Sequence, residues 1–156
     1  MVNTGGPWIH YSKAMPESRE LKAARRLLAE AEAQLASADG LVRLREGLGR
    51  LDEVMVAGAG PEGKTARNLA ASYASRVYAR IGSLLDRDAQ LPEPELEHYF
   101  KVVLAFDQVS ASLPSKAAKL KVAVVRALIE RYYEGHPPER KRAALAELAD
   151  LGRERQ

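Results

Sequence analysis

The sequence contains no cysteine, and this absence excludes several kinds of chemistry. Without thiols the chain forms no disulfide framework, no cysteine-ligated zinc or iron–sulfur site and no thiol nucleophile. Its longest apolar runs, Val54–Ala57, Val102–Phe106 and Val122–Val125, are far shorter than the roughly 20 residues of a membrane-spanning helix. Residues 1–11 lack the basic segment and apolar run of a secretory signal. We therefore expect a soluble cytoplasmic protein that does not bind a membrane.

An excess of either charge is also missing. The 24 basic and 21 acidic residues leave a formal net charge of only +3. Nucleic-acid-binding modules usually concentrate an excess of positive charge, so this balance argues against nucleic-acid binding as the main task. With 156 residues, of which 46% are hydrophobic and 29% charged, the chain has the size and composition of one globular domain.

Apolar residues recur at three- and four-residue steps through most of the chain, which is the period of amphipathic helices. The pattern predicts six helices, at about 16–38, 41–57, 62–86, 94–112, 115–134 and 139–151. Asp39-Gly40 is expected to end the first helix, and Val54-Met55-Val56 is the one ambiguous part, because its β-branched residues also suit a short strand. The fifth helix has the widest apolar face and is predicted to be the most buried.

Short connections predict that the six helices pair as three antiparallel hairpins, which begin near Pro16, Pro61 and Pro114. The expected fold is all-α, either a short right-handed stack of hairpins or a compact helical bundle. Residues 1–16, with the only tryptophan, Trp8, are predicted to form an extended arm. Residues 17–152 would form a single helical domain, followed by a charged tail at 153–156. Small residues along the third helix allow a neighbouring helix, or a second copy of the chain, to approach closely.

Two segments carry a recurring helical pattern. Leu96–Gln108 reads LEHYFKVVLAFDQ, with an acidic residue, an aromatic pair followed by lysine, an apolar pair and a final acidic residue. It resembles the second helix of a tetratricopeptide repeat, and Asn68–Tyr73 is similar to the first helix of that repeat. The hairpins here are longer than the family's period of about 34 residues. The resemblance implies a stack of helical hairpins that binds other proteins, and it transfers no functional residue.

Residues 58–65 match the phosphate-loop pattern G-x-x-x-x-G-K-[ST] without a mismatch. In such a loop the backbone at Gly58 and Gly63 lets N–H groups wrap a triphosphate. Lys64 would reach the β- and γ-phosphates, and Thr65 would bind Mg²⁺. A nucleotide-binding protein is therefore an alternative function for this chain.

The surroundings of that pattern argue for a helical connection instead. A phosphate loop works at the edge of a parallel sheet, which requires several buried strands. Only 54–57 and 102–107 are strand candidates, and the second continues the helical period of Leu96 and Tyr99. Pro61 also suits the first position of a helix after a glycine-rich turn.

The remaining polar residues show no ligand or catalytic spacing. His10, His98 and His136 are far apart in the sequence, and no metal, cofactor or catalytic triad is predicted. Two basic clusters, supplemented by Arg126 and Arg131, support a further alternative, binding of a nucleic acid or an acidic partner. The clusters are Lys116, Lys119 and Lys121, and Arg140, Lys141 and Arg142.

These patterns favour a non-enzymatic protein–protein interaction module. Stacked helices offer a groove in which a partner helix or peptide lies. We expect the partner contacts on partly exposed residues of the third helix, namely Asn68, Tyr73, Arg76 and Arg80. The sequence leaves the partner's identity open.

Overall fold

Helices make up nearly all of the chain that the computed structural model describes, which is residues 17–57, 61–87, 90–109 and 114–154. They are α1 (Arg19–Ala33), α2 (Ala38–Ala57), α3 (Pro61–Arg87), α4 (Glu93–Ala105), α5 (Ser115–Tyr132) and α6 (Pro138–Glu154), with a 3-10 turn at Phe106–Gln108 after α4. No strand occurs within the described ranges, so the predicted all-α fold is confirmed. The predicted arm, residues 1–16, lies outside them.

The connection between α1 and α2 differs from the sequence prediction. α1 ends at Ala33, and α2 begins at Ala38, so Asp39 and Gly40 start a helix instead of ending one. The hydroxyl of Ser37 accepts a hydrogen bond from the Gly40 amide at 3.0 Å. A Cβ atom on Gly40 would lie 1.9 Å from the carbonyl oxygen of Gln34. The glycine is therefore required by close approach of two backbones.

The ambiguous segment of the sequence proves to be helical, and one further boundary differs. Val54-Met55-Val56 is helical throughout, because α2 continues to Ala57. α4 ends at Ala105, several residues before the predicted position, and the chain tightens into the 3-10 turn there. None of the helices in the described part of the chain combines the length and apolar character that a bilayer crossing requires.

The first three helices show how the chain is arranged, since α2 runs antiparallel to α1 and α3 runs parallel to it. Gly40 lies against Gln34 while Gly47 lies against Leu28, so α1 and α2 form an antiparallel hairpin. The start of α1 meets the start of α3, where the Ser18 amide donates to Glu62 Oε2 at 3.0 Å. The ends of the same two helices also meet, through Arg80 and the carbonyl of Glu32, at 2.8 Å.

The third helix, α3, lies at the centre of the bundle and contacts α1, α2, α4 and α5. The prediction that α5 is the most buried helix is wrong. α3 contributes more buried residues, which are Gly63, Ala66, Ala70, Tyr73, Ala74, Val77, Tyr78, Ile81 and Leu85. Small side chains on several sides of α3 let neighbours pack around it. Its main partner is α5, and its contact with α4, the next helix in the chain, is slight.

Candidate functional site

A depression of about 640 Å³ opens at the C-terminal end of α3. The turn between α1 and α2 forms one wall, and α4 contributes Tyr99. Leu35 and Ile81 are buried beneath it, and Leu84 is partly buried. Charged side chains on its lining are Arg80, Arg87 and Asp39. The depression thus combines an apolar floor with a few charged side chains at its edge, the combination found in many ligand and peptide sites.

Tyr99 is a largely buried residue that lines this depression. Its side chain is only 6% exposed, and its ring packs edge-on against the ring of His98 with a centroid distance of 5.4 Å. Burial raises the pKa of the phenol above its ordinary value of 10.0, the charge of Glu95 raises it further and the charge of Arg80 opposes this. The hydroxyl therefore stays protonated at neutral pH and lines the depression as a neutral donor.

Arg80 is oriented by the end of α1. Its Nη1 atom donates to the carbonyl oxygen of Glu32 at 2.8 Å, which is a favourable position for a cation because helix C-termini carry partial negative charge. A guanidinium group has five N–H donors. The bond to Glu32 is the one hydrogen bond of Arg80 within the described ranges, so the group retains donors for a ligand.

Arg76 is engaged within the protein. Its guanidinium forms a salt bridge with the carboxylate of Glu32 and lies 4.7 Å from the ring centre of Tyr73. Tyr73 is buried to 9% exposure, and its ring supports this arginine. Arg76 therefore helps to dock α3 on α1, one turn before the depression.

The four partner contacts predicted from the sequence are only partly brought together. Tyr73, Arg76 and Arg80 lie around Glu32. Asn68 is exposed earlier in α3, and in the described part of the chain it has no hydrogen bond to the other three. Only Arg80 lines the depression.

The residues of the phosphate-loop pattern that the structure describes lie in a helix. Pro61 opens α3, so Gly63, Lys64 and Thr65 occupy its first turns, while Gly58 lies outside the described residues. Gly63 is buried, and the Thr65 hydroxyl donates to the carbonyl of Pro61 at 2.9 Å.

A phosphate loop also needs a preceding strand. Residues 54–57 and 102–105 belong to α2 and α4, and 106–107 belong to the 3-10 turn. Nowhere in the described ranges is there a sheet whose edge a triphosphate would occupy. In the part of the chain that the structure describes, the pattern therefore lacks the strand that precedes a phosphate loop.

The basic clusters are partly used in packing. Lys121 forms a salt bridge with Asp107, and Arg131 donates to the carbonyl of Leu85 at 2.6 Å. These contacts attach α5 to the 3-10 turn and to α3. The other cations are exposed or partly exposed on α5 and α6, and they are Lys116, Lys119, Arg126, Arg140, Lys141 and Arg142.

The two described histidines bind protein atoms. Nε2 of His98 lies 2.8 Å from the carbonyl oxygen of Leu35, and Nε2 of His136 lies 3.1 Å from a carboxylate oxygen of Glu93. His10 lies outside the described ranges. In the part of the chain that the structure describes, no three His, Asp or Glu side chains are arranged to hold a metal ion.

Sequence reasoning missed Arg87, Leu84 and Tyr99. A spacing signal exists for the first two, because positions 80, 84 and 87 follow the i, i+4, i+7 pattern of one helix face. No local signal connects Tyr99 to them, because it lies on another helix and only the packing of α4 brings it to the depression.

The chain was compared with protein-family models, with curated proteins and with solved structures, and none of the three comparisons gives a match.

Proposed function

We propose that the protein is a non-enzymatic interaction module that binds a segment of another protein in the depression at the C-terminal end of α3. The observation that carries this proposal is the depression itself, in which an apolar floor of Leu35, Ile81 and Leu84 is bordered by Arg80 and Arg87. Protein-binding sites typically combine an apolar centre with a polar rim and are enriched in arginine and tyrosine.

The helix arrangement supports a role in binding. α1 and α3 run parallel and meet at both ends, so they form one layer, as the first helices of stacked hairpins do. Such layers present a continuous surface to a partner. The depression lies where this layer meets the turn between α1 and α2 and the side of α4.

The experiment is site-specific photocrosslinking in the native host. A photoreactive amino acid replaces Leu84, which is partly buried in the depression, or Val56, which is 72% exposed on α2. We expect a discrete crosslinked protein from position 84 and none of the same size from position 56.

A second variant tests whether the depression itself is responsible. Ala36 is exposed in the turn and lines the depression, so Ala36→Trp fills part of it without changing the core. The crosslink from position 84 should be lost in Ala36→Trp. An equal crosslink from both positions, or one that Ala36→Trp leaves unchanged, would contradict the proposal.

A further inference from the structure

We draw no further inference here: the strongest candidate, the pocket of about 390 Å³ that Glu93 and Tyr132 line between the start of α4 and the end of α5, carries nothing, because these side chains already bond to His136 and Glu97 respectively and nothing in the structure shows what covers the pocket.

Discussion

At its N-terminal end α3 carries Gly63-Lys64-Thr65, which belong to a familiar sequence pattern, whereas its C-terminal end carries Arg80, Leu84 and Arg87, which belong to none. The structure places the first group in a regular helical turn, with the Thr65 hydroxyl bonded to the backbone of its own helix. It places the second group at a depression formed with two other parts of the chain. A matching sequence motif is therefore not enough to form a binding site. The site also requires the right backbone conformation and side chains from other parts of the chain.

The largest expected difference between the two ends is in stability. Ile81 is 1% exposed beneath the depression, so Ile81→Ala should lower the free energy of unfolding by about 3 kcal/mol through lost burial and the cavity left behind. Val56→Ala is the control for an exposed apolar residue, because Val56 lies near the end of α2, just before α3 begins, and is 72% exposed. The control should change the free energy by less than about 0.5 kcal/mol. Urea denaturation measures both, and equal effects would contradict the assignment of Ile81 to the core.

The next largest effect on the free energy of unfolding is expected in the turn between α1 and α2, which forms one wall of the depression. Gly40→Ala places a Cβ atom 1.9 Å from the Gln34 carbonyl oxygen, so the backbone must shift. We expect a net loss of about 2 kcal/mol in the free energy of unfolding. Gly49→Ala is the matched control within α2, because its Cβ would meet only Gln108 Nε2, at 3.6 Å.

The control should stabilise the protein by roughly 0.5–1 kcal/mol, the difference in helix propensity between the two residues. Thermal and urea unfolding of both variants would check the pair. A stabilised Gly40→Ala variant would show that the two backbones are farther apart than the structure has them.

A smaller effect should appear at alkaline pH. The pKa of Tyr99 is raised in the folded chain above its ordinary value of 10.0, so its contribution to stability is fully present below about pH 10. This contribution is lost as the pH rises through the folded-state pKa, because the unfolded chain releases the proton first. The free energy of unfolding should therefore fall less steeply above pH 10 in Tyr99→Phe than in the unchanged protein.

Tyr132 provides the comparison for this measurement. Its pKa is also raised, mainly by the hydrogen bond that its hydroxyl donates to the carboxylate of Glu97. Because that pair is exposed to solvent, Tyr132→Phe should change the alkaline slope less than Tyr99→Phe does. Urea denaturation between pH 8 and pH 11 measures both slopes, and the reverse order would contradict the burial of Tyr99.

The smallest effect is expected at the phosphate-loop pattern. We expect no saturable binding when a fluorescent ATP analogue is titrated with Mg²⁺, because in the described part of the chain a helix, not a strand, precedes the pattern, and the Thr65 hydroxyl already donates to the Pro61 carbonyl. Lys64→Ala should accordingly leave the titration and the stability unchanged, since Lys64 is exposed. Saturable binding that Lys64→Ala abolishes would reverse the comparison and make the N-terminal end of α3 the functional one.

How far the sequence reaches differs between the fold and the site. Apolar periodicity predicts each of the six helices, since one buried stripe is a local property of about three turns of chain. Periodicity misplaces the α1–α2 connection, because a glycine in a sequence usually indicates the end of a helix. The sequence does not show that Gly40 is required by close packing against the Gln34 carbonyl. Arg80 is among the predicted partner contacts because the periodicity of α3 shows which face it lies on. Tyr99 is not among them, because only the packing of α4 against other helices brings it to the depression.

The apolar pattern of the sequence was enough to predict an all-α protein with six helices, whose bounds lie within a few residues of the observed ones except at the ends of α1 and α4. It also predicted that the third helix begins near Glu62, inside the phosphate-loop pattern. The packing of the helices was needed to show that α3 is the central helix, that α5 is its main partner, and that Arg80, Arg87 and Tyr99 line one depression. The difference arises because the interactions that form helices are local along the chain, whereas those that pack helices together are not. Periodicity and capping act over a few residues along the chain, whereas the choice of neighbour depends on the volumes and shapes of all the helix faces at once.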